Sequence, residues 1–511
     1  MNRSCLKFMA LFNGGKISLS NIPVLVVEKF RAQIIESCGE SSRLVNLFGI
    51  LETNGYLRLL AVLGVDEEAR LDILSTFISL ESPQYESLTK DLTQAHLFER
   101  EIAEQWAVKP VGHPWLKPLR YHSNYRQAED IWQGINDKII PGGYPFYAVE
   151  GEEVHEIGVG PVHAGIIEPG HFRFQCHGEE ILHLEIQLGY QHRGIEPMMQ
   201  GQDLRRSMLL SESIVGDTSI GHSTAFSEVV ESLTGCSITP RAQAIRAIAL
   251  ELERLANHVG DLGALGMDAG FLPTSAYFGR MRGDYLNLLL ILTGNRFGKG
   301  LCRPGGVLFD IDNKMANDFC LKLKKYRDEF KDVSDLLFTR PSVLARFEGV
   351  GIVSPKDAKE IGLVGPAGRA SQMECDVRIN YASGMWQFQH VPISLGATGD
   401  VYARALVRSQ EVLRSLEFLL RVLPSLPAGD IFVAPGPMKP DTVAVSMVEG
   451  WRGEIMHVGI SDNQGGFGRY KIKDPSFHNW FGLAYAMRGQ EISDFPLCNK
   501  SFNLSYCGHD L

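Results

Sequence analysis

The chain has 511 residues, and its 44% hydrophobic and 22% charged side chains are typical of a folded protein and exclude a disordered or fibrous one. This length predicts two to four domains, because single hydrophobic cores rarely grow past about 250–300 residues. The formal net charge is -10 and there is no run of basic residues, which argues against nucleic acid as a partner, since phosphate binding requires clustered lysine and arginine.

Composition also bears on location. No uninterrupted apolar run approaches the roughly 18–20 residues that a membrane-spanning helix requires, so we expect any membrane association to come through partners. Residues 1–15 contain a short apolar stretch with few flanking positive charges and no convincing small-residue cleavage site, so we do not expect a signal peptide. The nine cysteines are scattered and never at Cys-x-x-Cys spacing, which predicts reduced thiols in the cytoplasm.

The first elements belong to a small domain that we predict over residues 1–122. Residues 56–64 (YLRLLAVLG) are predicted to form a strand, and residues 67–77 a helix. Residues 95–106 (AHLFEREIAEQW) place their large apolar side chains on one helical face. The polar residues 123–155, which include IIPGGYP, are predicted to be a linker, because proline and glycine favour turns.

The second domain is predicted over residues 156–511. Residues 158–187 predict a strand hairpin, because HFRFQC and ILHLEIQL alternate apolar and polar side chains around the turn HGEE. Residues 241–263 carry apolar side chains at steps of three and four, which predicts an amphipathic helix. A second such helix begins near Asp400, and GEIMHVGI and GRYKIKDPSF predict strands and turns towards the C-terminus.

Both long helices carry a stripe of charged side chains beside the apolar one. The stripes consist of Glu251, Arg254 and His258 on the first helix and of Arg404, Arg408 and Glu411 on the second. We interpret the second stripe as an internal salt network, because buried polar groups are usually paired for structure. For the first stripe, a structural brace and a proton-transferring or partner-facing role both stay open.

No short motif taken alone identifies a reaction: the sequence has no P-loop, no Rossmann-type glycine turn and no HExxH zinc motif. An ordered series of strings is more specific. It consists of GPVHAGIIEPGHFRF (160–174), GYQHRGIE (189–196), SESIVGDTSIGHSTAF (211–226), LELERLANH (250–258), GLVGPAGRAS (362–371), GDVYARALVR (399–408), EGWRGE (449–454) and YKIKDPSFHN (470–479).

This series resembles the large subunit of nickel–iron hydrogenases of the formate hydrogenlyase type, and with weaker identity the quinone-site large subunit of complex I. Upstream, residues 96–121 resemble the small soluble complex I subunit that is fused to the large one in some relatives. The resemblance implies an α+β fold, with a small N-terminal α/β domain and a mainly helical body that has β elements at both ends.

The resemblance also implies which residues have been lost. In the hydrogenases two pairs of cysteines hold nickel and iron, and the matching positions here are Val215, Thr218, Ser505 and Gly508. Cys507 is one residue out of register on this alignment. Soft thiolate ligands suit these metals, and valine, glycine and hydroxyl side chains do not replace them. We therefore expect this chain to bind no nickel–iron cofactor, and no other cofactor of its own.

The quinone-site residues of complex I are only partly present. His163 matches the first of two histidines in that family. By spacing, the second falls on Ile167, while a local shift would place His171 there; both alternatives stay open. The tyrosine that meets the quinone aligns near Gly216, so we expect no conventional ubiquinone site.

A polar set without metal ligands remains, and we predict it to be catalytic. It consists of Asp217, His222, Arg452, His163 and Glu196. Arg452 matches the active-site arginine of the family, and Glu196 an acidic residue that binds a structural cation or relays protons in hydrogenases. Buried ionisable groups shift their pKa values and can carry protons, but they also form structural ion pairs. For Asp217 the alternative is a helix cap, since aspartate is a favoured cap.

The resemblance implies a subunit of a membrane-associated, ion-translocating oxidoreductase complex that lacks the nickel–iron site. The implied partners are a small subunit with a 4Fe–4S cluster, a ferredoxin-like subunit and membrane subunits, at the inner face of the cell membrane; a quinone is a possible further ligand. The alternatives are a subunit that reduces quinone as in NADH:quinone oxidoreductase, a coupling subunit without catalysis, and a true hydrogenase with unusual ligands.

Overall fold

The computed structural model describes residues 8–128, 130–132, 140–165, 167–201 and 203–511. Cys5 and parts of the signal-peptide and linker predictions, residues 1–7, 129 and 133–139, lie outside the described residues. Within these ranges, no helix is both long enough and apolar enough to cross a lipid bilayer. The predicted α+β class, with sheets at both ends of a mainly helical body, is confirmed.

The N-terminal region forms a mixed sheet covered by one helix. Its elements are β1 (Met9–Leu11), β2 (Lys16–Ser18), β3 (Val24–Leu25), α1 (Val27–Glu40), β4 (Arg43–Leu51), β5 (Tyr56–Val65) and β6 (Arg70–Ser79). In this sheet the order is β1-β6-β5-β4, and β3 adds to β6 in parallel. The strand predicted over residues 56–64 is confirmed as β5.

The helix predicted over residues 67–77 is wrong, because this segment is strand β6, which pairs along its whole length with β5. Both faces of the strand are buried. Leu71 and Ile73 pack into one apolar cluster, while Leu74 and Ile78 pack into another. Burial on two faces removes the alternation that identifies a strand, and the steps of three and four that remain resemble a helix.

The chain then crosses to the body through short elements and a second sheet. These are β7 (Gln84–Glu86), α2 (His96–Trp106), β8 (Lys109–Val111), β9 (Val154–Val159), β10 (His171–His177) and β11 (Glu180–Gln187). The helix predicted over residues 95–106 is confirmed as α2, and the predicted hairpin as the antiparallel pair β10–β11.

The body is mainly helical. Its helices are α3 (Ile195–Met198), α4 (Leu204–Ser211), α5 (Ser219–Thr234), α6 (Pro240–Asp268), α7 (Leu272–Thr293), α8 (Asn313–Thr339), α9 (Pro341–Phe347), α10 (Pro355–Ile361), α11 (Gly365–Ala370), α12 (Val377–Asn380) and α13 (Val401–Val422). Two short strands, β12 (Cys302–Arg303) and β13 (Gly306–Val307), lie between α7 and α8. Helix α6 packs between α7 and α13, and the predicted amphipathic stripe of α6 is buried there.

The C-terminal region contains a sheet and short α-helices. Its elements are β14 (Thr442–Gly450), β15 (Gly453–Ser461), β16 (Phe467–Lys473), α14 (Ser476–Ala486), α15 (Phe495–Phe502) and α16 (Tyr506–Asp510). The sheet order is β16-β15-β14-β2, so an N-terminal strand completes the C-terminal sheet. The inner faces of the two sheets share one apolar cluster, which includes Val45, Val62, Val445 and Met456. This packing places the start of α5 beneath the turn between β14 and β15.

Candidate functional site

The site is centred on the loop that precedes α5. Val215 is buried in an apolar cluster with Ile195 and Cys507, whereas the Asp217 side chain is 32% exposed. Thr218 is the N-cap residue of α5, but its side chain makes no capping hydrogen bond. The loop therefore buries Val215 and Thr218 and presents the carboxylate of Asp217.

Arg452, from the turn between β14 and β15, holds the Asp217 carboxylate with two hydrogen bonds. The distances are 2.6 Å from Nη1 to Oδ1 and 2.9 Å from Nη2 to Oδ2, a two-pronged geometry that is strong because both partners are charged. Burial lowers the pKa of Arg452, but the neighbouring Asp217 more than reverses this effect, so its pKa is raised and the guanidinium stays charged.

Neighbouring groups fix both partners of this pair. Arg452 Nε donates to the carbonyl oxygen of Asn503 at 2.6 Å, and its guanidinium lies 3.8 Å from the ring centre of Trp451. Trp451 Nε1 and Asn257 Nδ2 each donate to the backbone carbonyl oxygen of Asp217 at 3.0 Å. The pair is thus held in place before any substrate binds, as a site that moves protons requires.

His222, one turn into α5, belongs to a buried chain of hydrogen bonds. Its Nε2 lies 3.2 Å from Asp474 Oδ2, and its Nδ1 lies 3.0 Å from Nε2 of His457. His457 Nδ1 lies in turn 2.9 Å from the hydroxyl of Tyr470. Burial raises the pKa of Asp474, but the hydrogen bonds and charges around it outweigh burial, so its pKa is lowered and it is ionised.

The ionised carboxylate of Asp474 sets the direction of this chain. Because Asp474 only accepts, His222 Nε2–H donates to it, and the remaining His222 nitrogen accepts from His457 Nε2–H. His457 Nδ1 then accepts from the Tyr470 hydroxyl, so every proton points towards Asp474. The ordered donors therefore leave Asp474 as an ionised acceptor in the core.

Glu253 of α6 is a site residue that sequence reasoning missed. Its carboxylate accepts from the backbone N–H groups of Ile220 (2.8 Å) and Gly221 (3.1 Å), so it satisfies the first turn of α5. Burial raises the pKa of Glu253 to about 8, and nearby Asp217 adds to the effect against the two backbone hydrogen bonds. The only sequence signal is its place on α6, one residue before the charged Arg254.

The raised pKa of Glu253 predicts a pH dependence of stability. Because the pKa lies above its ordinary value of 4.5, this group contributes stability that is fully present below pH 4.5 and is lost as the pH rises through about 8. Glu253→Gln mimics the neutral form, so we expect the variant to lose this part of the decline in the free energy of unfolding. Denaturant unfolding at about pH 5, 6, 7 and 8 measures the free energy of unfolding of both proteins across this range. If it falls equally with pH in the unmodified protein and in Glu253→Gln, the raised pKa of Glu253 is contradicted.

His163 and His171 bracket the loop between β9 and β10. His163 Nε2 donates to the carbonyl oxygen of Gly170 at 2.9 Å, and His171 Nδ1 donates to that of Gly160 at 3.1 Å. The loop packs against α16, since a Cβ atom on Gly170 would lie 2.6 Å from the Tyr506 ring. The contacts of His163 are thus made within its own loop, and its catalytic role stays a prediction.

Glu196 lies at the centre of a buried ion network. Its carboxylate meets Lys471 Nζ at 2.9 Å, Arg469 Nη2 at 3.0 Å and the backbone N–H of Ile472 at 3.0 Å. Lys471 also binds Glu101 of α2 at 2.6 Å. Burial opposes ionisation of Glu196, but the surrounding cations dominate and lower its pKa. This arrangement joins the N-terminal region to β16, and a proton-relay role for Glu196 stays a prediction.

The charged stripes of α6 and α13 meet in a second buried network. Glu411 accepts from Arg369 at 2.7 Å and from His258 Nε2 at 2.8 Å, and Glu251 lies 3.2 Å from Arg254. Arg408 is 3.2 Å from Asp261, which confirms the predicted internal salt network for Arg408 and Glu411. Arg404 instead donates to backbone carbonyl groups and to Ser501. Burial of the α6 stripe excludes a partner-facing surface and agrees with a structural brace, while a proton-transferring role stays a prediction.

The predicted site residues therefore fall into separate groups. Asp217, Thr218 and Arg452 are in direct contact, and His222 joins them through Asp474, whose charge acts on Arg452. Glu196 lies in its own network and His163 in its own loop. Among the described residues, no group of three or more histidine, cysteine, aspartate or glutamate side chains is arranged to hold a metal ion.

Comparison with known proteins supplies the family. The model of the 49 kDa subunit of respiratory-chain NADH dehydrogenase matches residues 268–438 and 431–510. The carbon monoxide-induced hydrogenase of Rhodospirillum rubrum is 31% identical over 350 residues, which cover 68% of this chain and 97% of that protein. The chain belongs to the family of complex I 49 kDa subunits and membrane-bound hydrogenase large subunits.

Other relatives agree with this family. Formate hydrogenlyase subunit 5 of Escherichia coli is 29% identical over 474 residues, or 89% of this chain and 82% of that protein. A chain in the solved structure of the membrane-bound sulfane sulfur reductase, an archaeal respiratory membrane complex, aligns with a TM-score of 0.66 at 24% identity. That alignment covers 71% of this chain and all of the other, and it supports the fold.

The residues of this chain do not fit the nickel–iron group of the family. Val215 packs among apolar side chains, and the hydroxyl of Ser505 accepts from the backbone N–H of Gly508 at 2.9 Å. A Cβ atom on Gly508 would lie 2.6 Å from Cγ of Asp474, so the aspartate carboxylate occupies the space into which a ligand side chain would project. The positions that correspond to the expected metal ligands therefore lie beside an acidic, hydrogen-bonded cluster.

Proposed function

We propose that this chain is the large subunit of a membrane-associated oxidoreductase complex, in which it forms the substrate cavity beside a 4Fe–4S cluster of a partner subunit. The family supports this proposal, since its relatives are named as a hydrogenase, a formate hydrogenlyase subunit and a respiratory NADH dehydrogenase subunit. The complex would lie at the inner face of the cell membrane through its membrane subunits, with a ferredoxin-like subunit supplying electrons.

One observation carries the proposed chemistry: a half-exposed carboxylate, Asp217, is clamped by a buried and permanently charged arginine where the family presents thiolates. Two-electron reduction of an organic or sulfur acceptor consumes protons, and a protonated carboxyl group is an ordinary donor of them. Asp217, whose side chain is partly exposed, takes a proton from solvent and passes it to the bound acceptor as negative charge builds there, which returns the carboxylate to its pair with Arg452. In this proposal Arg452 positions Asp217, and Asp217 touches the substrate.

The chain from Asp474 to Tyr470 supplies the second part of the proposed mechanism. The ionised Asp474 acts on Arg452 through its charge, and so helps to hold the guanidinium that binds Asp217. His222 and His457 act as positioning residues that keep Asp474 ionised and orient it. Electrons would reach the cavity from the cluster of the partner subunit, and no step in this chain requires a metal.

Purification of the tagged complex from its native membrane tests the proposed function. We expect the chain to copurify with an iron–sulfur subunit and with membrane subunits, and to depend on detergent for release. Mass spectrometry of the purified complex identifies the subunits. Recovery of the chain as a free protein from the soluble fraction, with no iron–sulfur partner, would contradict the proposal.

Metal analysis of the same complex gives a separate prediction. We expect iron and acid-labile sulfide from the partner, but nickel only in traces, because Val215, Thr218, Ser505 and Gly508 offer no thiolates. The measurement requires a nickel-replete host with active hydrogenase maturation, and a nickel–iron hydrogenase made in that host is the positive control. Near-stoichiometric nickel would overturn the assignment.

A further inference from the structure

A cavity of about 420 Å³ lies in the described part of the chain, and neither Asp217 nor Arg452 lines it. Its walls come from α5, α6, β14, the segment from α12 to Gln387, and the Asn13–Gly14 turn. Asn13 fastens this turn to the body, since its side chain donates to the carbonyl groups of Tyr381 (2.8 Å) and Met447 (2.9 Å). The volume is within the usual range of about 300–1,000 Å³ for small-molecule sites.

Most charged side chains in the cavity wall have partners of opposite sign. Arg246 is bound by Glu231 with two hydrogen bonds of 2.6 and 3.1 Å. Arg378 is bound by Asp376 at 2.6 and 3.0 Å, and Glu449 accepts from Arg369 at 2.8 Å. Because both arginines of the wall are paired with carboxylates, they do not create a site for an anion.

Glu228 of α5 is the exception. Among the described residues it forms no ion pair, and its hydrogen bonds come from the hydroxyl groups of Ser446 (2.5 Å) and Ser383 (3.3 Å). Burial raises the pKa of Glu228 to about 7. An ionised carboxylate in such a place is destabilised unless a cation joins it, and the cavity beside it offers the space.

Another part of the wall is apolar. It includes Met385, Trp386, Met447 and Val448. The Trp386 ring is fixed by packing on Phe418, with 4.8 Å between the ring centres, and the Arg378 guanidinium lies 5.9 Å from its centre. The ring therefore offers apolar contact area, and methionine side chains adapt to an alkyl group.

We propose that this cavity binds a small organic ammonium ion, with Glu228 as the counter-ion of its nitrogen and with Trp386 and the methionine side chains against its apolar part. Because the other charged side chains of the wall are paired with groups of opposite sign, Glu228 alone attracts a ligand charge, and the site favours a ligand with one positive charge. The proposal does not depend on the redox function of the complex, because the lining shares no residue with the Asp217–Arg452 pair.

Three probes of similar size test the site: n-butylammonium, its neutral isostere n-butanol, and butanoate. Calorimetric titration into the purified complex should show saturable binding of butylammonium, with butanol and butanoate at least about tenfold weaker, the size of a lost contact to a charged group. Glu228→Gln should weaken butylammonium at least about tenfold, and Trp386→Leu should weaken it independently through lost apolar contact. Glu417→Gln, which removes the same charge from an exposed site on α13, is the matched control and should change nothing.

Cys236 lines the cavity and reports on its occupancy. Butylammonium should slow alkylation of Cys236 by iodoacetamide, measured by peptide mass spectrometry, while Cys320 on α8 serves as the internal reference. In the Glu228→Gln complex this protection should disappear. Butanol that binds as tightly as butylammonium, unchanged affinity in both variants, or the absence of saturable binding would each overturn the proposal.

Discussion

Asp217→Asn should lower the turnover of the assembled complex by about 10²- to 10⁴-fold, the usual contribution of a general acid–base group. Asparagine keeps the size and one carbonyl oxygen of the side chain, so contact with Arg452 at 2.6 Å can persist. It cannot take up and release a proton, and it leaves the charge of Arg452 uncompensated beside the substrate. Turnover with the native acceptor, normalised to assembled complex, measures the effect.

A structural role for Asp217 predicts a different result. If the aspartate capped α5, Asp217→Asn would cost little, because asparagine is an equally good cap. The interpretation of Asp217 as the cap is wrong: Thr218 is the N-cap residue, and Glu253 accepts from the N–H groups of Ile220 and Gly221. A large loss of turnover therefore reports on chemistry and not on a lost cap.

The chain offers a matched control for this experiment. Asp203 is the N-cap of α4, where its side chain accepts from the backbone N–H of Arg206 at 3.0 Å. Asp203→Asn makes the same chemical change at an exposed cap, and we expect normal turnover. Full activity of an assembled Asp217→Asn complex would end the proton-transfer proposal, and an equal loss in both variants would show that the effect is not specific to Asp217.

The long helices of the body could be predicted from the sequence because their apolar and polar side chains form separate stripes. In α6 both stripes are regular, so the helix could be predicted although the structure buries both. Strand β6 could not be predicted in this way, because Leu71 and Leu74 are both apolar and are buried on opposite faces. Period alone identifies an element only when its faces differ in polarity.

The candidate site was predicted in part. The resemblance pointed to Asp217, His222 and Arg452, and the structure brings these three into one cluster across more than 230 positions of chain, as the separations in the hydrogen bonds show. The resemblance gave no sign of Glu253 or His457, because their roles depend on packing between elements that are distant in the sequence. Asp474 was visible in the string YKIKDPSFHN, but only the missing side chain of Gly508 explains the room for its carboxylate.

Glu411→Gln should lower the free energy of unfolding of the body by about 3–5 kcal/mol, as expected when one partner of a buried ion network is removed. Glu411 is 1% exposed, and Arg369 lies 2.7 Å from it and His258 2.8 Å. The surrounding cations lower its pKa against the effect of burial. Glutamine removes the negative charge that pairs with Arg369 and Arg254, and the N–H groups of its amide would face the N–H groups of these arginines.

Hydrogen–deuterium exchange of the intact complex measures this loss where it arises, in peptides from α6 and α13. Glu417→Gln is the matched control, since Glu417 lies on α13 beside the exposed Arg414, at 3.4 Å. Exposed pairs of this kind contribute about 0–1 kcal/mol, so its exchange should match that of the unmodified complex.

Because the Arg408 side chain borders both Asp261 and the Trp451 ring, loosening of this network reaches the residues that hold Arg452. We therefore expect Glu411→Gln also to reduce turnover, whereas protection equal to that of Glu417→Gln would show that the network does not stabilise the body.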